Sequence, residues 1–151
     1  AQGIHTTLDT SGNPFTREGE RFEKIRKLLE VTDLVMLDIK HIDDEQHKIL
    51  TGQTNRNILD MARYLDEIGK PMWIRHVLVP ERSDKDEYLI RLDAFIQSLH
   101  NVQKVEVLPY HTLGAYKWKE LGYEYPLEGI DPPTQERIKN ANQLLHTGAR
   151  V

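Results

Sequence analysis

The sequence predicts an α/β fold with about four parallel strands and flanking helices. Three observations carry this. Short apolar runs, each ended by turn residues, alternate with stretches in which apolar residues recur every three or four positions. Strand then helix, repeated, is the pattern of parallel βαβ units, whose right-handed crossovers put the helices on one side of each strand pair. The 151 residues, 38% hydrophobic and 29% charged, suit a single domain over 1–151 with a substantial core. Four such strands form half of a barrel or a small open sheet.

The first strand is expected near 3–9, where Ile4 to Leu8 runs into Asp9-Thr10-Ser11-Gly12. Asn13-Pro14 breaks the pattern, and Phe22, Ile25, Leu28 and Leu29 then recur at helical spacing. Leu34-Val35-Met36-Leu37, leading into Asp38-Ile39-Lys40, reads as a strand over 34–40 buried on both faces. A short helix over Asp44–Leu50 stops at Gly52. Ile58, Met61, Ala62, Leu65 and Ile68 stripe the next helix, with Thr54 or Asn55 as its cap and Gly69 at its end. The third strand covers 72–79 and stops at Pro80. Tyr88, Leu89, Leu92, Phe95, Ile96 and Leu99 mark a helix that Ser83 or Asp84 would cap. The fourth strand covers 104–110, and a short helix over Lys117–Leu121 closes at Gly122. The loop from Gly122 to Pro133 is rich in Gly, Pro and Tyr. Pro132-Pro133-Thr134 then opens a final helix near 134–147, with Ile138, Ala141 and Leu145 inward.

Composition excludes several classes of function. Twenty basic and 24 acidic residues, evenly spread, give a net charge of −4 with no basic track for nucleic acid and no polybasic membrane patch. No apolar run approaches the roughly 18 residues of a membrane span. Ala1 to His5 lack the basic start and apolar core of a signal peptide, so a cytoplasmic location is expected. With no cysteine, these residues can hold no disulfide, thiolate zinc site, thiol nucleophile or protein-bound iron–sulfur cluster.

Strand alternation then sorts the polar residues. His5, Thr7 and Asp9 share one face of the first strand, opposite Ile4, Thr6 and Leu8. Met36, Asp38 and Lys40 lie opposite Val35, Leu37 and Ile39, and Arg75, Val77 and Val79 lie opposite Ile74, His76 and Leu78. The aliphatic sets suit a helix-covered face. The others gather Asp9, Asp38, Lys40 and Arg75 on the remaining face, as a wet ligand cavity or a satisfied ion-pair network. Asp9-Thr10, Asp38 to Lys40 and Tyr110-His111 also fall at the carboxyl ends of strands, where parallel α/β proteins place their sites. Asp9-Thr10-Ser11-Gly12 has the form of an aspartic-protease loop, but that chemistry needs an all-β frame and paired carboxylates. Lys40 at a strand end invites comparison with Schiff-base lysines, although Asp38 on the same face would keep it charged. His41, His47, His76, His100 and His146 have no ligand-like grouping and read as surface or structural. Tyr116, Trp118 and Tyr123 read as packing residues.

The runs Gly3 to Gly12, Leu29 to Lys40, Trp73 to Pro80 and Leu108-Pro109-Tyr110-His111-Thr112-Leu113-Gly114, with Lys117-Trp118 and the 122–133 loop, resemble the pyruvate formate-lyase-activating enzymes in one register along nearly the whole chain. That resemblance implies the carboxyl-terminal part of a partial (β/α)6 barrel of the radical S-adenosylmethionine (SAM) type. In those oxidoreductases a [4Fe–4S] cluster cleaves SAM reductively, and the resulting radical takes a hydrogen atom from a glycine of pyruvate formate-lyase under anaerobic conditions. The resemblance further implies SAM contacts at Asp38, Lys40, Arg75, Val77, Tyr110 and His111. It implies a monovalent-cation site at Asp9, Thr10, Met36 (through its carbonyl) and Asp38. Pyruvate formate-lyase would be the protein substrate and flavodoxin or ferredoxin the electron donor. One departure stands out: Pro80-Glu81 replaces a frequent Pro-Gly after the third strand.

The family's cluster-binding cysteines and Gly-Gly-Glu segment are not among these residues. The expectation is therefore a fragment that contributes SAM and cation contacts but is inactive alone, and that self-associates through an open edge at the first strand. Activation of another glycyl radical enzyme, a non-catalytic assembly module, and a Schiff-base lyase using Lys40 are the competing expectations.

Overall fold

The computed structural model describes residues 3–150. Four parallel strands, β1 (Thr7–Thr10), β2 (Leu34–Asp38), β3 (Met72–Leu78) and β4 (Val102–Pro109), lie in chain order, and a short antiparallel β5 (Gly148–Ala149) pairs with β4. The connections carry α1 (Gly19–Glu30), α2 (Asp44–Thr51), α3 (Arg56–Glu67) and α4 (Asp86–Gln97); α5 (Ala115–Glu120) and α6 (Gln135–Leu144) follow β4. None of the helices among the described residues is long and apolar enough to cross a membrane.

The helix-covered face forms as the alternation requires. Val35, Leu37 and Ile39 of the β2 segment and Met72, Ile74 and Leu78 of β3 are fully buried. They pack against Leu29 of α1, Ile58, Met61, Ala62 and Leu65 of α3, and Leu89, Leu92 and Ile96 of α4. Phe15 joins them from the loop after β1, in an aromatic group with Phe22 and Tyr64. Asp43 caps α2 by accepting from the Gln46 N–H, and Gly52 ends it in the left-handed region at φ 73°. Thr134 caps α6 in the same way, through the Arg137 N–H.

Several expectations need correction. The first strand begins at Thr7, not at residue 3, and Ile4 is 73% exposed. Thr6 is instead fixed by the Asp33 carboxylate, which accepts from both its N–H and its hydroxyl. Ile68 falls just past the end of α3 and Leu28 on an outer side of α1, and both are exposed. Neither Ser83 nor Asp84 caps α4, whose N-cap is Lys85. The Ser83 hydroxyl is committed elsewhere: it accepts from the Val79 N–H and donates to the Val77 carbonyl, closing the turn after β3. Asn55 does hold the N-cap position of α3, but its side chain makes no cap bond and donates instead to the His41 and Ile42 carbonyls. The fourth strand starts two residues early, at Val102, and the last helix gives way to β5. Tyr116, Trp118 and Tyr123 are exposed, with Trp118 set edge-on to Tyr123.

Candidate functional site

On the other face of the sheet, register decides what meets. Asp9 lies beside Met36, Met36 beside Trp73, and Trp73 beside Lys104; one step on, Asp38 lies beside Arg75 and Arg75 beside Glu106. The Lys104 ammonium sits 4.4 Å from the Trp73 ring centre and also pairs with Glu106.

Arg75 is the centre of this face. Its Nε donates to Asp38 Oδ1 at 2.8 Å, and its Nη2 reaches across β2 to donate to Asp9. Lys40 Nζ donates to the other Asp38 oxygen at 3.1 Å. Two carboxylates and two cations therefore close into one neutral network tying the carboxyl ends of β1 and β2 to the middle of β3. Burial works against the Arg75 charge, but its hydrogen bonds to Asp9 and Asp38 prevail and hold its pKa above the ordinary guanidinium value.

The turn after β1 fixes the Asp9 end. Thr10 Oγ1 accepts from the Gly12 N–H at 3.0 Å. Gly12 has φ 69°, and a Cβ there would lie 2.8 Å from Leu37 Cδ1. Only glycine lets this turn settle onto the core below it. At the far end of β4, Tyr110 is buried, and its hydroxyl meets that of Tyr125 at 2.7 Å. Burial and that hydrogen bond push the Tyr110 pKa up to about 12. His111, the next residue, is exposed.

Of the expected SAM contacts, the structure thus joins Asp38, Lys40 and Arg75 directly. Val77 follows on the same face of β3. Tyr110 turns into the fold toward the 122–133 loop, and His111 stands at the surface beyond β4. Of the expected cation ligands, Asp9 and Asp38 converge on Arg75, while the Thr10 hydroxyl is occupied by Gly12. Two participants were missed. Glu106 follows from strand register, which needs the pairing to be known. His47 is a buried helix residue whose ring lines a cavity beside Asp38 and Lys40, and nothing local in the sequence sets it apart from a structural histidine.

Comparison with known proteins places the chain. The radical SAM superfamily profile matches residues 1–92. The pyruvate formate-lyase-activating enzyme of Streptococcus mutans is 58% identical over 146 residues, covering 97% of this chain and 56% of that protein. The protein of the same name from Listeria monocytogenes is 52% identical over 149 residues, covering 99% of this chain and 60% of its own length. The chain therefore spans little more than half the length of these relatives. A crystallised domain of a pyruvate-formate lyase-activating enzyme from Bacteroides vulgatus superposes with a TM-score of 0.74 at 22% identity, covering 96% of this chain and 77% of that one, and shares the fold.

Proposed function

This chain belongs to the radical SAM superfamily, and we propose that it is the SAM-holding part of a pyruvate formate-lyase-activating enzyme. One observation carries the reading: the Asp38–Lys40 pair at the carboxyl end of β2, 3.1 Å apart and backed by Arg75. A carboxylate beside an ammonium is the complement of an α-amino acid. The ligand's own ammonium and carboxylate can exchange partners with this pair and leave no charge buried alone. Asp38 and Lys40 then hold the amino-acid end of SAM. Val77, Tyr110 and His111 flank the adenosine, and Arg75 orients the Asp38 carboxylate or meets the glycine-bearing loop of the protein substrate.

When bound at a reduced [4Fe–4S] cluster, SAM supplies the radical that takes a hydrogen atom from a glycine of pyruvate formate-lyase. With no cysteine among the 151 residues, the cysteine-held cluster does not fit this chain, and no step is assigned to these residues through it. Their contribution is binding and orientation. Flavodoxin or ferredoxin would supply the electron in the cytoplasm. A monovalent cation at Asp9, Thr10, Met36 and Asp38 requires Arg75 to withdraw, because its guanidinium bridges the two carboxylates. Lys40 is engaged in an ion pair, not set in the apolar surroundings that activate a Schiff-base lysine. Among the described residues β1 pairs only with β2, so its outer edge can accept another strand, from a longer polypeptide or a second copy.

The test is SAM affinity by calorimetry in the cluster-loaded full-length enzyme. Asp38→Ala is expected to weaken binding by a few kcal/mol, as for a partly buried charge partner. His111→Ala should cost less, because it removes one contact at the exposed end. A folded Asp38→Ala enzyme with parental affinity overturns the assignment.

A further inference from the structure

We propose that His76 is a positioning residue for SAM binding: its imidazole holds the peptide group that joins Ile39 to Lys40, and so keeps the Lys40 side chain on the same face as Asp38. The inference rests on the SAM reading above and deepens it, because Lys40 is one of the ligand contacts in that reading and His76 acts only through it.

The need for such a residue follows from where β2 stops. Strand alternation puts Asp38 and Lys40 on one face, but β2 ends at Asp38. One residue further, the Ile39 N–H still donates to the Arg75 carbonyl, at 2.9 Å. The Ile39 carbonyl then turns to a side chain for its partner: His76 Nδ1 lies 2.8 Å away. A peptide group is planar, so fixing the Ile39 carbonyl also fixes the N–Cα bond of Lys40. Were that peptide to turn over, the Lys40 stem would start in another direction, and the 3.1 Å pair between its ammonium and Asp38 would break.

His76 is placed for this task and no other visible one. It belongs to β3, shares the covered face with Ile74 and Leu78, and is only 2% exposed. Burial disfavours the charged ring and lowers its pKa, so the ring is neutral and has a single N–H to give. Two carbonyls compete for it: Ile39 lies 2.8 Å from Nδ1, and Ser83 lies 3.3 Å from Nε2. The shorter distance assigns the proton to Nδ1. Beyond Lys40 the His41 and Ile42 carbonyls accept from the Asn55 side chain. The segment between β2 and α2 is thus fastened by side chains from outside it, and Lys40 is the residue it delivers to the open face.

The experiment compares two amides at position 76 in the cluster-loaded full-length enzyme, with SAM affinity read by calorimetry. His76→Asn places an N–H where Nδ1 was and keeps the tie to Ile39; His76→Gln places it where Nε2 was and loses that tie. His76→Gln should weaken SAM binding roughly five- to tenfold, the scale of one lost hydrogen bond, and His76→Asn less than about twofold. A merely structural histidine predicts the reverse order, because glutamine fills more of the vacated space, and Gln binding as well as Asn or better overturns the proposal. In a Lys40→Ala background the difference between the two amides should vanish; its persistence would show that His76 does not act through Lys40 and also overturns it. Where an amide variant does not fold, the ring ¹⁵N signals of His76 in the labelled, cluster-free full-length parent decide: a proton on Nδ1 supports the proposal and a proton on Nε2 overturns it. Weaker binding in Lys40→Ala with no difference between the amides removes the role of His76 and leaves the SAM reading standing. Parental affinity in Lys40→Ala removes the Lys40 contact from that reading and the proposal with it.

Discussion

The two faces of the sheet are built from alternate residues of the same strands, yet they obey opposite rules. On the covered face Val35, Leu37, Ile74 and Leu78 are dry and fully buried, so shape and volume govern it. On the open face Asp9, Asp38, Lys40 and Arg75 keep four charges within one hydrogen-bonded network, so neutrality governs it. A single residue step separates Leu37 from Asp38. The difference teaches that stability and ligand chemistry are divided by side-chain direction along a strand.

That division can be broken by experiment. The largest effect should come from the dry side. Leu37→Ala removes a fully buried side chain that supports Gly12 and is expected to cost roughly 3–4 kcal/mol, while Met36→Ala, one residue away on the open face, should cost under about 1 kcal/mol. Urea unfolding measures both, and equal losses would refute the comparison.

A second effect is protonation within the dry side. Burial lowers the His41 pKa from 6.5 to about 4. Unfolded His41 takes up a proton below pH 6.5, whereas the folded ring refuses it until about pH 4. Stability should therefore be full above pH 6.5 and fall by roughly 3 kcal/mol as the pH drops toward 4. Buried His76, also lowered by desolvation, adds to the loss in the same direction. His41→Asn retains an acceptor for the Asp43 N–H and should flatten its share of the profile. An unchanged pH dependence would remove His41 as the cause.

The smallest effect lies in the turn at the carboxyl end of β3. Glu81 has φ 63°, a left-handed conformation that glycine adopts without the clash a Cβ brings. Glu81→Gly should stabilise the chain by about 0.5–1 kcal/mol, the strain relieved less the entropy glycine gains on unfolding. Thermal unfolding checks it, and a loss of stability would show that Glu81 makes a contact that outweighs the strain.

The parts legible in the sequence were those whose signal is local. β2 and β3 announce themselves as apolar runs, and the charged residues at their ends follow from alternation. Gly52 and Thr134 punctuate their helices as their chemistry dictates. What escaped depends on distant partners. Ile4 is as apolar as a strand residue should be, but Thr7 is the first to pair with β2. β5 is two small residues whose only strand character is its pairing with Lys104 and Val105. Ser83 was a plausible cap until the turn after β3 claimed its hydroxyl. That Arg75 reaches Asp9, two strands away, follows from register and side-chain length together.

The strand order also bears on how the protein is made. Each strand lies beside its neighbour in the chain, so no segment must wait for a remote partner before it can pair. Each pairing must still close a crossover that holds a helix, which makes it slower than a hairpin, but none spans more than one such unit. A polypeptide emerging from the ribosome with its amino end first can dock β2 on β1, then β3 on β2, then β4 on β3, each closing over the helices just synthesised. The sheet can therefore grow at the pace of translation, with Arg75 locking the first two strand ends together as soon as the third arrives.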